Sequence, residues 1–162
     1  MPALNFEFEA PDFQELSSRA LARVHKKAGT AAMTWFKQHR LKKRFDGSMK
    51  EELRFQPRDP KWNNYKARFG ASGKPLRYTG SSERIAMRGP VRVTKQRMQI
   101  VIKGLHRGFS PRQVRATHPP MWNELARISR YEQQRVAQVY ADTYASELQF
   151  EIERANRRRR KV

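Results

Sequence analysis

Val91-Arg92-Val93-Thr94-Lys95-Gln96-Arg97-Met98-Gln99-Ile100-Val101-Ile102 is the stretch on which the fold turns. Two β-rich runs, 91–93 and 98–102, flank the polar segment Thr94-Lys95-Gln96-Arg97, which predicts an antiparallel hairpin. The second run is apolar on both faces near its centre, as expected of a strand inside a sheet or under a helix. Leu76 to Met87 offers a further strand upstream.

Helical periodicity brackets this hairpin. Phe13, Leu16, Ala20, Val24, Ala28, Ala31 and Trp35 recur in steps of three and four, and Leu21 and Phe36 widen the stripe. Asp12-Phe13-Gln14-Glu15 has the capping-box pattern at its start, and Phe45-Asp46-Gly47-Ser48 ends it. Gly29 is a candidate kink within it. Upstream, Asn5 to Glu9 alternates polar and apolar, which reads as a short strand or extended arm broken by Ala10-Pro11. Downstream, Met121 to Ile128 reads as a short helix. Ser129-Arg130-Tyr131-Glu132 is a second capping box, and Val136, Val139, Tyr140, Thr143, Tyr144, Leu148 and Ile152 form a second stripe. Trp62, Tyr65 and Phe69 are spaced as on a short helix after Pro60. Gly70-Ala71-Ser72-Gly73-Lys74-Pro75 reads as a turn, since no Gly-Lys-Ser/Thr follows to make a phosphate cradle.

The predicted fold class is α+β: a long N-terminal helix, a central antiparallel sheet with a hairpin, and a long C-terminal helix. Two amphipathic helices packed on one sheet would bury all three apolar faces. With 162 residues the chain suits one domain over 1–156, with 1–11 as the arm and 104–120 as a long Gly-, Pro- and Arg-rich loop, followed by a basic tail at 157–162.

Charge narrows the function. Lys and Arg number 35 against 15 Asp and Glu, a formal charge of +20. The charge is segregated. Residues 1–18 hold Glu7, Glu9, Asp12 and Glu15 and no base, whereas 84–123 holds Arg84, Arg88, Arg92, Lys95, Arg97, Lys103, Arg107, Arg112 and Arg115 and no acid. Arg157, Arg158, Arg159, Arg160 and Lys161 close the chain. These cations, the tail arginines included, are the candidate contacts to DNA or an acidic partner. The chain has no cysteine, which excludes disulfides, thiolate metal sites and thiol nucleophiles. No apolar run reaches bilayer length, and Met1 to Asp12 lacks the basic and apolar regions of a signal peptide, so a soluble intracellular product without membrane contact is expected.

Catalysis is not expected. His25, His39, His106 and His118 have no acidic or histidine neighbour at metal-binding spacing, and each is expected to be solvated or hydrogen-bonded. Glu51 and Glu52 are adjacent and diverge. Asp142, Glu147 and Glu151 read as a solvated helix face, with Glu151 to Arg154 an ordinary surface pair. Ser81 and Ser82 lack a nucleophile elbow. No catalytic residue, cofactor or metal is assigned. Trp35, Phe36, Tyr140 and Tyr144 read as core, whereas Trp62 and Tyr65 could serve an interface or stack on bases.

At Lys74-Pro75-Leu76-Arg77-Tyr78-Thr79-Gly80 the chain resembles the small neck and tail-completion proteins of tailed phages, the virion morphogenesis, head–tail joining and tail-terminator proteins. The turn carried by Pro75, Leu76, Thr79 and Gly80 follows an N-terminal helix and precedes strands and a terminal helix. His118-Pro119-Pro120-Met121-Trp122 is similar in position to the Pro-rich approach to that helix. Ser82 stands where the family often has Leu. The resemblance implies a non-enzymatic homo-oligomeric ring, six- or twelve-fold, at the head–tail junction of the virion. Its expected neighbours are portal, adaptor or tail-tube proteins, with genomic DNA held in the lumen by charge alone. The alternative is a sequence-nonspecific nucleic-acid-binding protein, ribosome-associated or genome-packaging, resting on the +20 charge and the basic tail.

Overall fold

The computed structural model describes residues 3–7, 16–55, 59–74, 76, 80–105 and 121–159. The extended arm belongs to the sheet. β1 (Ala3–Glu7) pairs antiparallel with β3 (Arg97–Val101), Leu4 opposite Ile100 and Phe6 opposite Met98. β2 (Val91–Val93) pairs antiparallel with the other side of β3, giving the order β1-β3-β2. Thr94 N–H donates to the Arg97 carbonyl at 2.8 Å, so Lys95 and Gln96 form the hairpin tip. Alternation sorts the faces. Leu4, Phe6, Met98 and Ile100 are buried on one side, while Asn5, Arg92 and Arg97 are exposed on the other.

The expected strand over Leu76 to Met87 is a helix instead, α4 (Ser81–Arg88). Gly80, at φ 81°, makes the left-handed turn that starts it. Ser82 and Ala86 then fall one helical turn apart on the buried side, and Arg84 between them is exposed, whereas a strand would put all three on one face.

The N-terminal helix is a continuous helical run of three pieces: α1 (Ser18–Phe36), a π-turn over Lys37–Leu41 and α2 (Lys42–Asp46). It starts at Ser17, whose extended backbone and hydroxyl, accepting from Ala20 N–H at 3.3 Å, make the N-cap. A helix running on from Asp12 is therefore excluded, and the Asp12–Glu15 pattern lies outside the described residues. Gly29, the candidate kink, lies within the uninterrupted α1. A Cβ there would stand 2.7 and 2.9 Å from the Val93 methyls, so this glycine lets β2 pack tightly against the helix. Ala28, Ala32, Phe36, Arg40 and Arg44 are buried at strict steps of four. An α-helix overshoots a full turn by about 40° in four residues. The wider π-turn takes up that drift and keeps Arg40 and Arg44 on the buried side. Gly47, at φ 87°, closes the run.

α3 (Pro60–Ala67), with Asp59 as N-cap, matches the helix expected after Pro60. α5 (Met121–Ala126) and α6 (Arg130–Arg159) complete the fold, which is a mixed α and β architecture with one three-stranded antiparallel sheet among the described residues. The two long helices do not share the sheet equally. α1 packs on β2 and β3 with one side and along α6 with the other, so α1 is the middle layer. Val136, Tyr140 and Tyr144 of α6 close the core around Val24, Ala28, Met33 and Phe36. α6 runs through Arg157 to Arg159, so the first half of the expected tail is helical.

Candidate nucleic-acid and assembly interface

α4, β2, the hairpin and β3 form one short path, and its cations point outward. Arg84 and Arg88 are exposed one turn apart on α4. Gly89 then carries the chain straight into β2, since a Cβ there would sit 2.5 Å from the Val101 carbonyl oxygen. Arg92 is exposed on the polar face of the sheet, directly beside Gln99. Lys95 is at the hairpin tip, and Arg97 shares the polar face two residues from Gln99. Lys103 follows β3 and is also exposed. Six of the nine predicted cations are thus described and all six face solvent. Arg107, Arg112 and Arg115 lie outside the described residues, as do Pro75, Thr79 and Arg160.

The tail cations are not part of this group. Arg157 is exposed and pairs with Glu153 at 3.7 Å. It lies 17 residues beyond Tyr140, roughly 25 Å along α6 at 1.5 Å per residue, and Tyr140 is where the hairpin is tied.

That tie is His25. Its Nε2 lies 2.6 Å from the Thr94 carbonyl oxygen and its Nδ1 2.8 Å from the Tyr140 hydroxyl. A carbonyl only accepts, so Nε2 carries a proton and donates, and in the neutral ring Nδ1 accepts from Tyr140. One buried imidazole thereby joins α1, α6 and the hairpin. Burial, with Tyr144 adjacent, pushes the Tyr140 hydroxyl well above its ordinary pKa, which keeps it a donor. His39 is hydrogen-bonded too, to the Trp35 carbonyl at 3.0 Å.

A second cluster, the one sequence reading missed, has a fully buried centre in Glu132 and Arg44. Glu132 has no exposed side-chain surface. It accepts from Arg40 Nε at 3.1 Å, Arg44 Nη2 at 2.8 Å and Ser129 N–H at 2.9 Å, while Ser129 Oγ accepts from Glu132 N–H at 3.2 Å. The second capping box therefore forms, and its glutamate doubles as a buried counter-ion. Arg40 also reaches Glu52, and Arg44 Nη2 donates to the Arg127 carbonyl at 2.6 Å. Among the described residues Arg44 Nε and Nη1 have no hydrogen-bond partner, but the guanidinium sits 4.9 Å from the Phe36 ring centroid, whose face partly compensates it. Burial draws Arg44 below its ordinary pKa, against the opposing charge of Glu132. Burial works against the Glu52 charge as well, but hydrogen bonds from Arg40 and Ser129 and the nearby guanidiniums outweigh it, leaving that carboxyl below its usual range. The available signal was Arg40 and Arg44, four apart on an apolar stripe that held no acid to match them.

The acids of α6 also need correction. Glu151 is buried and takes Arg23 at 2.9 Å, and Glu147 takes Lys27 at 2.6 Å. They clamp α6 to α1 across a shallow groove of about 500 Å³ lined by Lys26, Thr30 and Thr143. The hydrogen bond from Arg23 holds the Glu151 carboxyl below its ordinary pKa despite burial. Asp142 is solvated, as expected, and accepts from Gln138. The Glu151–Arg154 pair is present at 3.6 Å.

Of the aromatic residues, Phe36, Tyr140 and Tyr144 are core and Trp35 packs against it. Trp62 stacks on Tyr65 with centroids 5.6 Å apart, Tyr65 meets Phe69 edge-on at 5.7 Å, and Tyr65 and Phe69 stay 42% and 50% exposed with Arg68 over the Tyr65 ring. Beneath them Lys66 is buried and donates to the Lys74 carbonyl. Leu76 of the family-like turn is a core residue. Among the described residues no three His, Asp or Glu side chains converge as metal ligands, and no helix is long and apolar enough to cross a membrane.

A scan against protein-family models finds no match, and searches of curated proteins and of solved structures find none either.

Proposed function

We propose that the protein is a non-enzymatic structural subunit of a tailed-phage particle, forming a six- or twelve-fold ring at the head–tail junction around the DNA path. The observation that carries this reading is the sheet. One face is core, and the other presents Arg92 and Arg97, with Lys95 at the tip between them. A ring that turns this face to its lumen lines the DNA path with cations that meet phosphate without reading sequence. The order of helix, sheet and helix agrees with the resemblance, with α4 standing ahead of the first strand of the hairpin. Portal, adaptor or tail-tube proteins are the proposed neighbours and the virion the proposed location.

The test is mass photometry and negative-stain electron microscopy of the purified protein, with quantitative mass spectrometry of purified particles. Closed rings and a fixed copy number of six or twelve per particle are expected. A protein that stays monomeric at all concentrations, and is missing from particles, refutes the reading. The second reading, a sequence-nonspecific nucleic-acid-binding protein, is favoured by Tyr65 and Phe69, exposed beside Arg68. It predicts tight, steeply salt-dependent binding to DNA or RNA by the monomer.

A further inference from the structure

The two outer strands are each bonded on one side. The registers show which backbone groups are left over. Pro90 opposite Val101 and Thr94 opposite Arg97 are hydrogen-bonded positions of the β2–β3 ladder, so Arg92 opposite Gln99 is one as well, because such pairs alternate. Val91 and Val93 therefore turn their N–H and C=O groups away from β3. Arg97, Gln99 and Val101 bond toward β2, which leaves Met98 and Ile100 to bond toward β1, at Phe6 and Leu4. By the same alternation Asn5 turns its N–H and C=O outward at the far edge. Among the described residues no hydrogen bond reaches these outward groups of Val91, Val93 or Asn5. Unpaired strand edges are templates for another strand.

We infer that β1 of one copy pairs with β2 of the next, so that the sheet continues from subunit to subunit. Three facts select this pairing over others. Both strands are antiparallel to β3, so they run parallel to each other. Rotation about an axis along the strands preserves direction, and a parallel β1–β2 joint repeats around such an axis. The edges lie on opposite sides of the sheet, so the contact is head-to-tail, the kind that closes into rings. The sequence segments that contain them are also opposite in charge: residues 1–18, which contain β1, hold four acids and no base, and 84–123, which contain β2, hold nine bases and no acid. Like edges would repel and unlike edges attract. The joint keeps every Arg92 and Arg97 on one continuous polar surface. The inference rests on the ring reading and specifies how the ring closes.

The absence of native cysteine makes the test direct. Asn5 and Arg92 flank Gln99 from opposite sides and are both exposed, so in a continued sheet they meet across the joint. Asn5→Cys and Arg92→Cys proteins are oxidised separately and mixed. The mixture is expected to give at least tenfold more disulfide dimer than either protein alone, and the double variant a ladder ending at the ring size. The Asn5→Pro variant removes an outward N–H and leaves the intrachain ladder intact. It is expected to fold, by circular dichroism, and to lose the ring. Rings with no mixed disulfide, or rings from Asn5→Pro, overturn the inference and leave the ring reading standing. Disulfides between like variants replace it with a two-fold edge contact. No ring and no disulfide from the wild-type background removes both.

Discussion

Replacing Glu132 tests how much of this fold hangs on one buried carboxylate. The side chains of Glu132 and Arg44 are both fully buried, and the carboxylate accepts from Arg40, Arg44 and the Ser129 amide. Glu132→Ala leaves the Arg44 guanidinium buried with the Arg127 carbonyl and the Phe36 face as its remaining partners among the described residues. Breaking one side of a buried ion pair costs about 3–5 kcal/mol, and losing half a capping box adds about 1 kcal/mol. For a chain of this size each kcal/mol moves Tm by roughly 2–4 °C, so Glu132→Ala is expected to lower Tm by about 10–20 °C. Glu132→Gln keeps the shape and one acceptor and falls between. Arg44→Met with Glu132→Leu removes both charges together, so it costs at least about 2 kcal/mol less than the two single changes added. The assay is guanidinium and thermal unfolding, followed by circular dichroism, of the wild type, Glu132→Ala, Glu132→Gln, the double variant and its two component single variants. If Glu132→Ala shifts Tm by under about 3 °C, or the cycle is additive, Glu132 is not the counter-ion that pins α6 to the π-turn.

Three further outcomes follow from the same geometry. Gly29→Ala normally gains about 1 kcal/mol of helix propensity, but here its methyl meets Val93 at 2.7 Å, so a net loss of about 1–3 kcal/mol is expected and Val93→Ala in the same chain should restore most of it, read by chemical unfolding. Tyr140→Phe takes away the hydroxyl that donates to His25 Nδ1 and should cost about 1–3 kcal/mol and speed amide exchange at the hairpin tip; unchanged exchange there would break the link between α6 and the hairpin. Glu52 and Glu151 both ionise more readily folded than unfolded, so the unfolded chain binds more protons below about pH 4.5 and stability falls as pH drops through that range. Tm measured from pH 7 to 3 should fall less steeply in Glu52→Gln/Glu151→Gln than in the wild type.

The order of elements was legible in the sequence because it is written in local periodicity. Steps of three and four at Ala20, Val24 and Ala28, alternation around Phe6, and the β-rich runs at 91–93 and 98–102 each reflect which side of a local element meets the core. The cap at Ser129 and the stop at Gly47 were legible for the same reason, since a helix end is satisfied by residues a few positions away. Segment 81–88 was misread as a strand because its buried side holds two small residues, too faint a pattern until Gly80 is seen in its left-handed turn. The exposed cations of α4 and the hairpin were likewise visible as an acid-free run.

Contacts between elements far apart in sequence were decided only by tertiary structure. Nothing local pairs Arg44 with Glu132, 88 residues apart, or Arg23 with Glu151, 128 apart; Glu132 reads only as a helix cap and Glu151 as solvated until α6 lies along α1. His25 could not be read as the link between Tyr140 and Thr94 for the same reason. The N-terminal arm became an edge strand, and α1 rather than the sheet became the middle layer, because burial is shared among all elements at once. A sequence records which residues avoid water; which neighbours they find there is settled when the helices and the sheet close on one another.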